Sequence, residues 1–245
     1  MSKIVLGQIS APTRRIHFTP PVVEGLQYWS FFGGDASQSL KNWGGADGAL
    51  QGDPDYHTGW TRFGPGERIN MVFTDTAEFS LMAVGKTPDD GSAAALRPQF
   101  MTNHNGSSVS DPGRNGGGVG LYGSAATTLS GRAGTWNGTS NQTGELTLPG
   151  VNLAVWGYME FVMGAGNRHL CHRTQSLRVD GTYSSERDPI SVPFRIGGGF
   201  SVPGGNTDLA FAAIYARRLT DDELDAVYAC VQTNLLQPGF GEIVI

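Results

Sequence analysis

Apolar positions along this chain fall into short runs, at 26–32, 69–73, 79–85, 119–122, 145–148, 151–163, 175–180, 192–196 and 209–215, parted by clusters of glycine, proline, asparagine and aspartate. Runs this short, some alternating with polar residues, are too brief for helices that bury one face. Their regular spacing between turn signals predicts an all-β, antiparallel two-sheet sandwich. The period changes once, near the end. After the apolar run Leu209 to Tyr215, Thr220 and Glu223 are spaced as a capping box, and Leu219 and Leu224 as a hydrophobic staple. Leu224, Val227, Tyr228, Val231 and Leu235 then keep the spacing of one helical face. A short C-terminal helix docked on a sheet is expected.

The run AAIYARRLTDDELDAVY resembles the closing segment of laminin-G/concanavalin A-like domains, which end in a strand with a tyrosine, an Arg-x-Leu, a Ser or Thr cap and an acidic first turn. LQYWSF at 26–31 is similar to the opening strand of that family. FSLMAVGK at 79–86 resembles its strand with an aromatic, a small polar residue and a lysine, and LRVDG at 177–181 its Asp-Gly hairpin. The resemblance runs from about Gly25 to Leu236. It implies a concanavalin A-like jelly-roll sandwich and a role in glycan or protein recognition, with residues 1–24 as an N-terminal arm and 237–245 as a tail.

Composition agrees with turns and sheets. Glycine takes 36 of 245 residues, about twice its ordinary share, and charged residues make up 16% where about 25% is usual. With 39% hydrophobic residues the chain can still fill a core. A net charge of −5 offers no basic footprint, so nucleic acid is not an expected partner. No run is long enough for a membrane-crossing helix, and Met1 to Arg15 lacks the apolar segment and cleavage site of a signal peptide. Synthesis in the cytoplasm without secretion is expected. Cys171 and Cys230 are too few for a disulfide framework and are expected to be reduced. No cofactor is implied.

Two polar, glycine-rich stretches are expected to be long loops, 103–118 and 135–144. The first holds Asn103, His104, Asn105, Asp111 and Arg114; the second holds Trp136 and Asn137. A sugar ring stacks its C–H face on an aromatic and offers its hydroxyls to planar amides and carboxylates, so these seven residues are the candidate glycan ligands. The competing reading is that they shape turns and that Trp136 packs in the core.

Other clusters carry less chemistry. On a strand, His169 and Cys171 face one way and His172 the other, so the stretch 167–173 cannot hold one metal and reads as a solvated strand end. Asp53 and Asp55 near His57 are too few oxygens for calcium, and no metal site is expected. Glycosidases of this fold carry closely alternating acids on one strand. Here Glu160 stands alone, while Glu186 and Asp188 fall in a hairpin or loop, which weighs against an enzyme. A lyase-like role would need a converging Tyr/His/Arg set, which a sequence alone neither shows nor excludes.

Residues 1 to about 24, with Pro12 and the Pro20-Pro21 pair, are poor at central sheet pairing. They read either as an arm lying along a neighbouring subunit or as an edge strand of their own sandwich. By analogy, a signal-free lectin-like chain with such an arm is expected in a bacteriophage or prophage virion, in the tail, baseplate or fibre. There it would be oligomeric, touching other virion subunits and host-surface polysaccharide. A purely structural or decoration role is the alternative.

Overall fold

In the computed structural model the described residues are 19–104, 106–198, 204–237, 239–240 and 243–245. The first half of the chain forms β1 (Leu26–Phe31), α1 (Ala36–Ser39), β2 (Ala49–Gln51), β3 (Asp55–His57), β4 (Trp60–Phe63), β5 (Arg68–Asn70), β6 (Phe79–Lys86), β7 (Gln99–Thr102), β8 (Gly106–Ser107) and β9 (Asn115–Gly116). The second half forms β10 (Val119–Ala125), β11 (Thr128–Trp136), β12 (Asn141–Pro149), β13 (Gly157–Gly164), β14 (Asn167–His172), β15 (Leu177–Thr182), β16 (Glu186–Arg187), β17 (Arg195–Ile196), β18 (Thr207–Tyr215) and α2 (Asp221–Leu235).

These strands build two antiparallel sheets. Sheet I has the order β15-β14-β13-β6-β18-β4-β3, with β1 also paired to β18; sheet II has the order β12-β11-β10-β7-β17-β5-β2, with β16 also paired to β11. The protein is thus an all-β, two-sheet jelly-roll sandwich with a short C-terminal helix, as expected from the pattern. The sheets bury Phe63, Phe79, Leu81, Phe100, Leu121, Leu129, Phe161, Phe194 and Ile214 between them.

Sheet I is covered a second time. Its far face carries Trp29, Phe31, Val84, Tyr158, Val162, Phe211 and Tyr215, and these pack under Leu219, Leu224, Val227, Val231 and Leu235 of the helical segment. Two-sided burial explains why β6, β13 and β18 read as near-continuous apolar runs, since a strand covered on both faces has no polar side to show. Among the described residues sheet II is packed on its inner face, and β12 alternates accordingly: Glu145, Thr147 and Pro149 are exposed while Leu146 and Leu148 are buried.

The helix is fastened as its spacing predicts. Thr220 Oγ1 accepts from Glu223 N at 3.3 Å, and Glu223 Oε2 accepts from Thr220 N at 2.9 Å. Arg217 grips the same carboxylate through two bonds of 2.9 and 2.6 Å. Ser80 on β6 accepts from Leu219 N and donates to the Arg217 carbonyl, tying the cap to the sheet. The tail is also packed, with Phe240 and Ile243 buried in the same outer cluster. Most of the expected arm, residues 1–18, lies outside the described residues. Its last part touches the sandwich, where the Tyr215 hydroxyl donates to the Val22 carbonyl and Arg217 to that of Glu24.

Three expectations need correction. The stretch 135–144 is not a long loop: β11 and β12 pair continuously from Thr128↔Pro149 to Trp136↔Asn141, leaving only a tight turn. Glycines misled here because they serve close packing. A Cβ at Gly131 would lie 2.5 Å from the Phe161 ring, and one at Gly134 2.7 Å from the Gly117 backbone. The stretch 167–173 is not a solvated strand end either. β14 lies between β13 and β15, and His169, Leu170, Cys171 and His172 are all buried. The expected strand 151–163 begins only at Gly157.

Thr220→Ala should lower stability by about 0.5–2 kcal/mol in urea unfolding, because the helix loses its cap while its packing stays. A pH series gives a second check. Hydrogen bonding from Arg217 holds the Glu223 carboxyl down at about 2, against an ordinary 4.5. A depressed carboxylate contributes stability that is fully present above its unfolded value and is lost as pH falls through the folded one. The stability gap between the natural chain and Glu223→Gln should therefore be constant above about pH 4.5 and shrink steadily toward pH 2.

Candidate functional site

The stretch 103–118 carries its own small hairpin, β8 against β9, and this hairpin meets the β11–β12 turn at one end of sheet II. Asp188 is the hub of the meeting. It is buried and accepts from Ser108 Oγ at 2.6 Å, from Arg114 at 2.8 and 3.3 Å, and from Asn141 Nδ2 at 3.4 Å. Burial works to raise its carboxyl, but the hydrogen bonds from Arg114 and Ser108 prevail and hold it below the ordinary range. Arg114 in turn lies over the Trp136 ring with its guanidinium carbon 3.9 Å from the centroid. The two stretches singled out in the sequence therefore come together, through a residue, Asp188, that had been weighed only as a possible acid.

The seven candidate ligands divide sharply in this arrangement. Asn103 is fully buried: its Oδ1 accepts from Val119 N at 2.6 Å and its Nδ2 donates to the Val192 carbonyl at 3.4 Å, so its amide is spent on backbone. Asn137 is exposed, yet its Oδ1 accepts from Thr139 N and Ser140 N and so shapes the turn. Asp111 is exposed and accepts from Gly113 N at 3.2 Å. Asn105 lies outside the described residues. Trp136 is half-buried beneath Arg114 rather than sunk in the core. His104 belongs to a different surface, the outer face of sheet II.

That face is the feature which sequence reasoning missed. Directly opposed partners form one row across seven strands: Ala49, Asn70, Arg195, Thr102, Gly120, Arg132 and Glu145. At about 4.8 Å between neighbouring strands the row spans roughly 29 Å. No helix of the described residues covers it, since α1 contacts β1 and α2 packs on sheet I. Around the row stand Arg68, which donates to Asn70 Oδ1 at 3.1 Å, and Tyr122, which donates to Glu145 Oε1 at 3.0 Å. Arg132 donates to Thr143 Oγ1 at 3.2 Å and makes no ion pair among the described residues. Burial, followed by the Arg132 charge, pushes His104 down to about 4, so it is neutral at ordinary pH. Its Nε2 is enclosed and has no hydrogen-bond partner among the described residues. Burial, then the Glu145 charge, pushes the Tyr122 phenol up.

The remaining candidates serve the fold. Glu160 is buried and accepts from Arg173 Nε at 3.0 Å, and Arg173 continues to Asp225 on α2, so this acid ties helix to sheet. Burial drives the Cys171 thiol up to about 12, which makes it a poor nucleophile. Cys171 and Cys230 are both free thiols. Asp55 pairs with His57 at 2.8 Å, and His57 stacks on Trp60. Among the described residues no group of three or more His, Cys, Asp or Glu side chains is placed to hold a metal.

No family model matches this sequence, and no curated protein matches it. Solved structures do match in fold. The receptor binding domain of botulinum neurotoxin D has a TM-score of 0.58 at 10% identity, covering 86% of this chain and 53% of that one. The binding domain of Paraclostridial Mosquitocidal Protein 1 has a TM-score of 0.57 at 11% identity, covering 86% and 53%. The botulinum neurotoxin serotype D ligand binding domain in complex with N-acetylneuraminic acid has a TM-score of 0.57 at 10% identity, covering 84% and 50%. The chain spans about half the length of these structures, and the likeness is one of fold.

Asn103→Ala should destabilise the protein by about 1–3 kcal/mol in urea unfolding, because it leaves the buried Val119 N–H without an acceptor. A loss below a few tenths of a kcal/mol would mean that the loop does not depend on this amide.

Proposed function

We propose that this chain is a non-catalytic, lectin-like binding module that contacts glycan through the outer face of sheet II. The observation that carries the reading is the cross-strand row from Ala49 to Glu145, a strip with amide, guanidinium and carboxylate groups beside the Tyr122 ring that no helix of the described residues covers. Sugars are recognised by this mixture, with polar groups for the hydroxyl rim and a ring for the C–H face. The fold neighbours support it in a general way, being receptor-binding or ligand-binding domains by description, one of them solved with N-acetylneuraminic acid.

The setting we propose is a bacteriophage or prophage particle, in which residues 1–24 contact other virion subunits, 25–236 form the binding module and several copies act together. Multiplicity would let weak single contacts hold a particle to host polysaccharide. A purely structural virion role is the competing proposal.

A polysaccharide-degrading enzyme is a second reading, favoured by one observation: Tyr122, His104 and Arg132 share a neighbourhood, since Arg132 acts on both of the other two. Against it, His104 Nε2 is enclosed and the Tyr122 proton is committed to Glu145. Incubation of polysaccharides with the protein separates the two readings, because cleavage yields new reducing ends and binding does not.

A glycan array probed with the purified chain should give a defined set of ligands. The double variant Tyr122→Ala/Arg132→Ala should lose them while its thermal unfolding stays cooperative. Retention of all binding by that variant would move the contact off this face, and no glycan bound by the natural chain would favour the structural role.

A further inference from the structure

We infer that Asn137 is a site of spontaneous chemical modification, at which the backbone nitrogen of Gly138 closes on the side-chain amide and water then converts the asparagine to aspartate or isoaspartate. The inference is independent of what the outer face of sheet II binds.

The reaction needs water and nothing else. The Gly138 nitrogen gives its proton to solvent and forms a bond to Asn137 Cγ, while the side-chain nitrogen takes up a proton and leaves as ammonia, so that a cyclic imide is formed. Water then opens the ring at either of its carbonyls. One opening gives aspartate, and the other gives isoaspartate, in which the main chain runs through the side-chain carbons. The net change is one water consumed and one ammonia released, with no oxidation or reduction.

Asn-Gly occurs at 105–106, 115–116 and 137–138. Asn105 lies outside the described residues, and the fold sets the other two pairs apart. Asn137 and Gly138 are both exposed in the tight turn between β11 and β12. A Cβ at Gly138 would meet nothing within 4 Å, so the approach to its nitrogen is open. The Gly138 N–H has no acceptor among the described residues, and no hydrogen bond has to be given up before it attacks. Asn137 Oδ1 accepts from Thr139 N at 2.9 Å and from Ser140 N at 2.8 Å. These bonds fold the side chain back along the turn that Gly138 occupies. They also aim two donors at the oxygen that becomes negatively charged when nitrogen adds to Cγ.

Asn115 and Gly116 are held differently. They form β9 and pair with Ser107 and Gly106 of β8, and the Asn115 carbonyl accepts from Asn141 Nδ2 at 2.9 Å. Gly116 is buried, and a Cβ there would collide with Ile190. An extended strand points the asparagine side chain away from the next nitrogen, and the rotation that would bring them together breaks the pairing. At Asn137 the product places a carboxylate beside Trp136, and the isoaspartate route adds a carbon to the main chain of the turn.

The test is peptide mapping by mass spectrometry of the full chain, kept folded in buffer and, in parallel, unfolded in guanidinium chloride, with an isoaspartyl methyltransferase to mark isoaspartate. In the folded chain Asn137 should convert about tenfold or more faster than Asn115. Its rate should rise with pH, because the Gly138 nitrogen must lose its proton. In the unfolded chain neither pair has a turn or a ladder, and the two should convert at similar rates. Asn137→Gln, whose longer side chain closes the ring poorly, should lower the ammonia released by the folded chain, and thermal unfolding reports its folding. Equal conversion of Asn137 and Asn115 in the folded chain would overturn the inference, by showing that the dipeptide alone sets reactivity. Slower conversion of Asn137 in the folded chain than in the unfolded one would overturn it as well, by showing that the two bonds to Oδ1 protect the amide.

Discussion

The structure depends on the double burial of sheet I. Its inner face makes the sandwich core with sheet II, and its outer face is closed by α2 and the tail. An apolar outer face without that cover would expose Trp29, Phe31, Val84 and Phe211, a patch too large for a soluble surface. The cover is held by polar fastenings as well as by packing. Ser80 ties the cap to β6, Arg173 bridges Glu160 to Asp225, and Tyr228 sits edge-on to Tyr158 at 4.9 Å. Because one sheet is closed on both sides, the outer face of the other is the broad sheet surface that no helix of the described residues covers.

Much of the scaffold was legible because two-sided burial writes itself into sequence. FSLMAVGK, GYMEFVMG and TDLAFAAIY are apolar nearly throughout, and no turn or loop needs such composition. The capping box was equally legible, since Thr220 and Glu223 act over three residues and need no tertiary context. β11 was not. TLSGRAGTW has few apolar side chains, and its glycines look like turn residues until Phe161 and the Gly117 backbone are seen pressed against them. His169 and Cys171 read as polar because their burial comes from the strands on either side, which the residues of β14 alone do not show.

The outer face of sheet II was illegible for a related reason. The residues of its row come from seven strands, and their order along the row follows strand pairing rather than chain order. Only the register, Arg195 facing both Asn70 and Thr102, and Gly120 facing both Thr102 and Arg132, makes them neighbours. Single loops rich in amides drew attention instead, because amides and glycines are visible one residue at a time. The loops turned out to be held internally: Asn103 satisfies backbone, Asn137 closes a turn, and Arg114 is clasped by Asp188 and stacked on Trp136. Side chains committed to internal bonds would have to give them up before meeting a ligand, which subtracts from any affinity.

The same accounting bears on the proposed reading of the outer face. Proton transfer and charge stabilisation gain most where water is excluded and donors are aimed at one reacting atom. The row is spread over roughly 29 Å of sheet, with its side chains at separated positions rather than converging on one point. His104 is neutral with its Nε2 enclosed, and the Tyr122 proton is engaged by Glu145. An extended ligand met by several modest contacts is the kind that the proposed reading of this face calls for. A rigid antiparallel sheet supplies the remaining requirement, because it fixes the spacing between contacts before the ligand arrives and spares the ordering cost that flexible loops would impose.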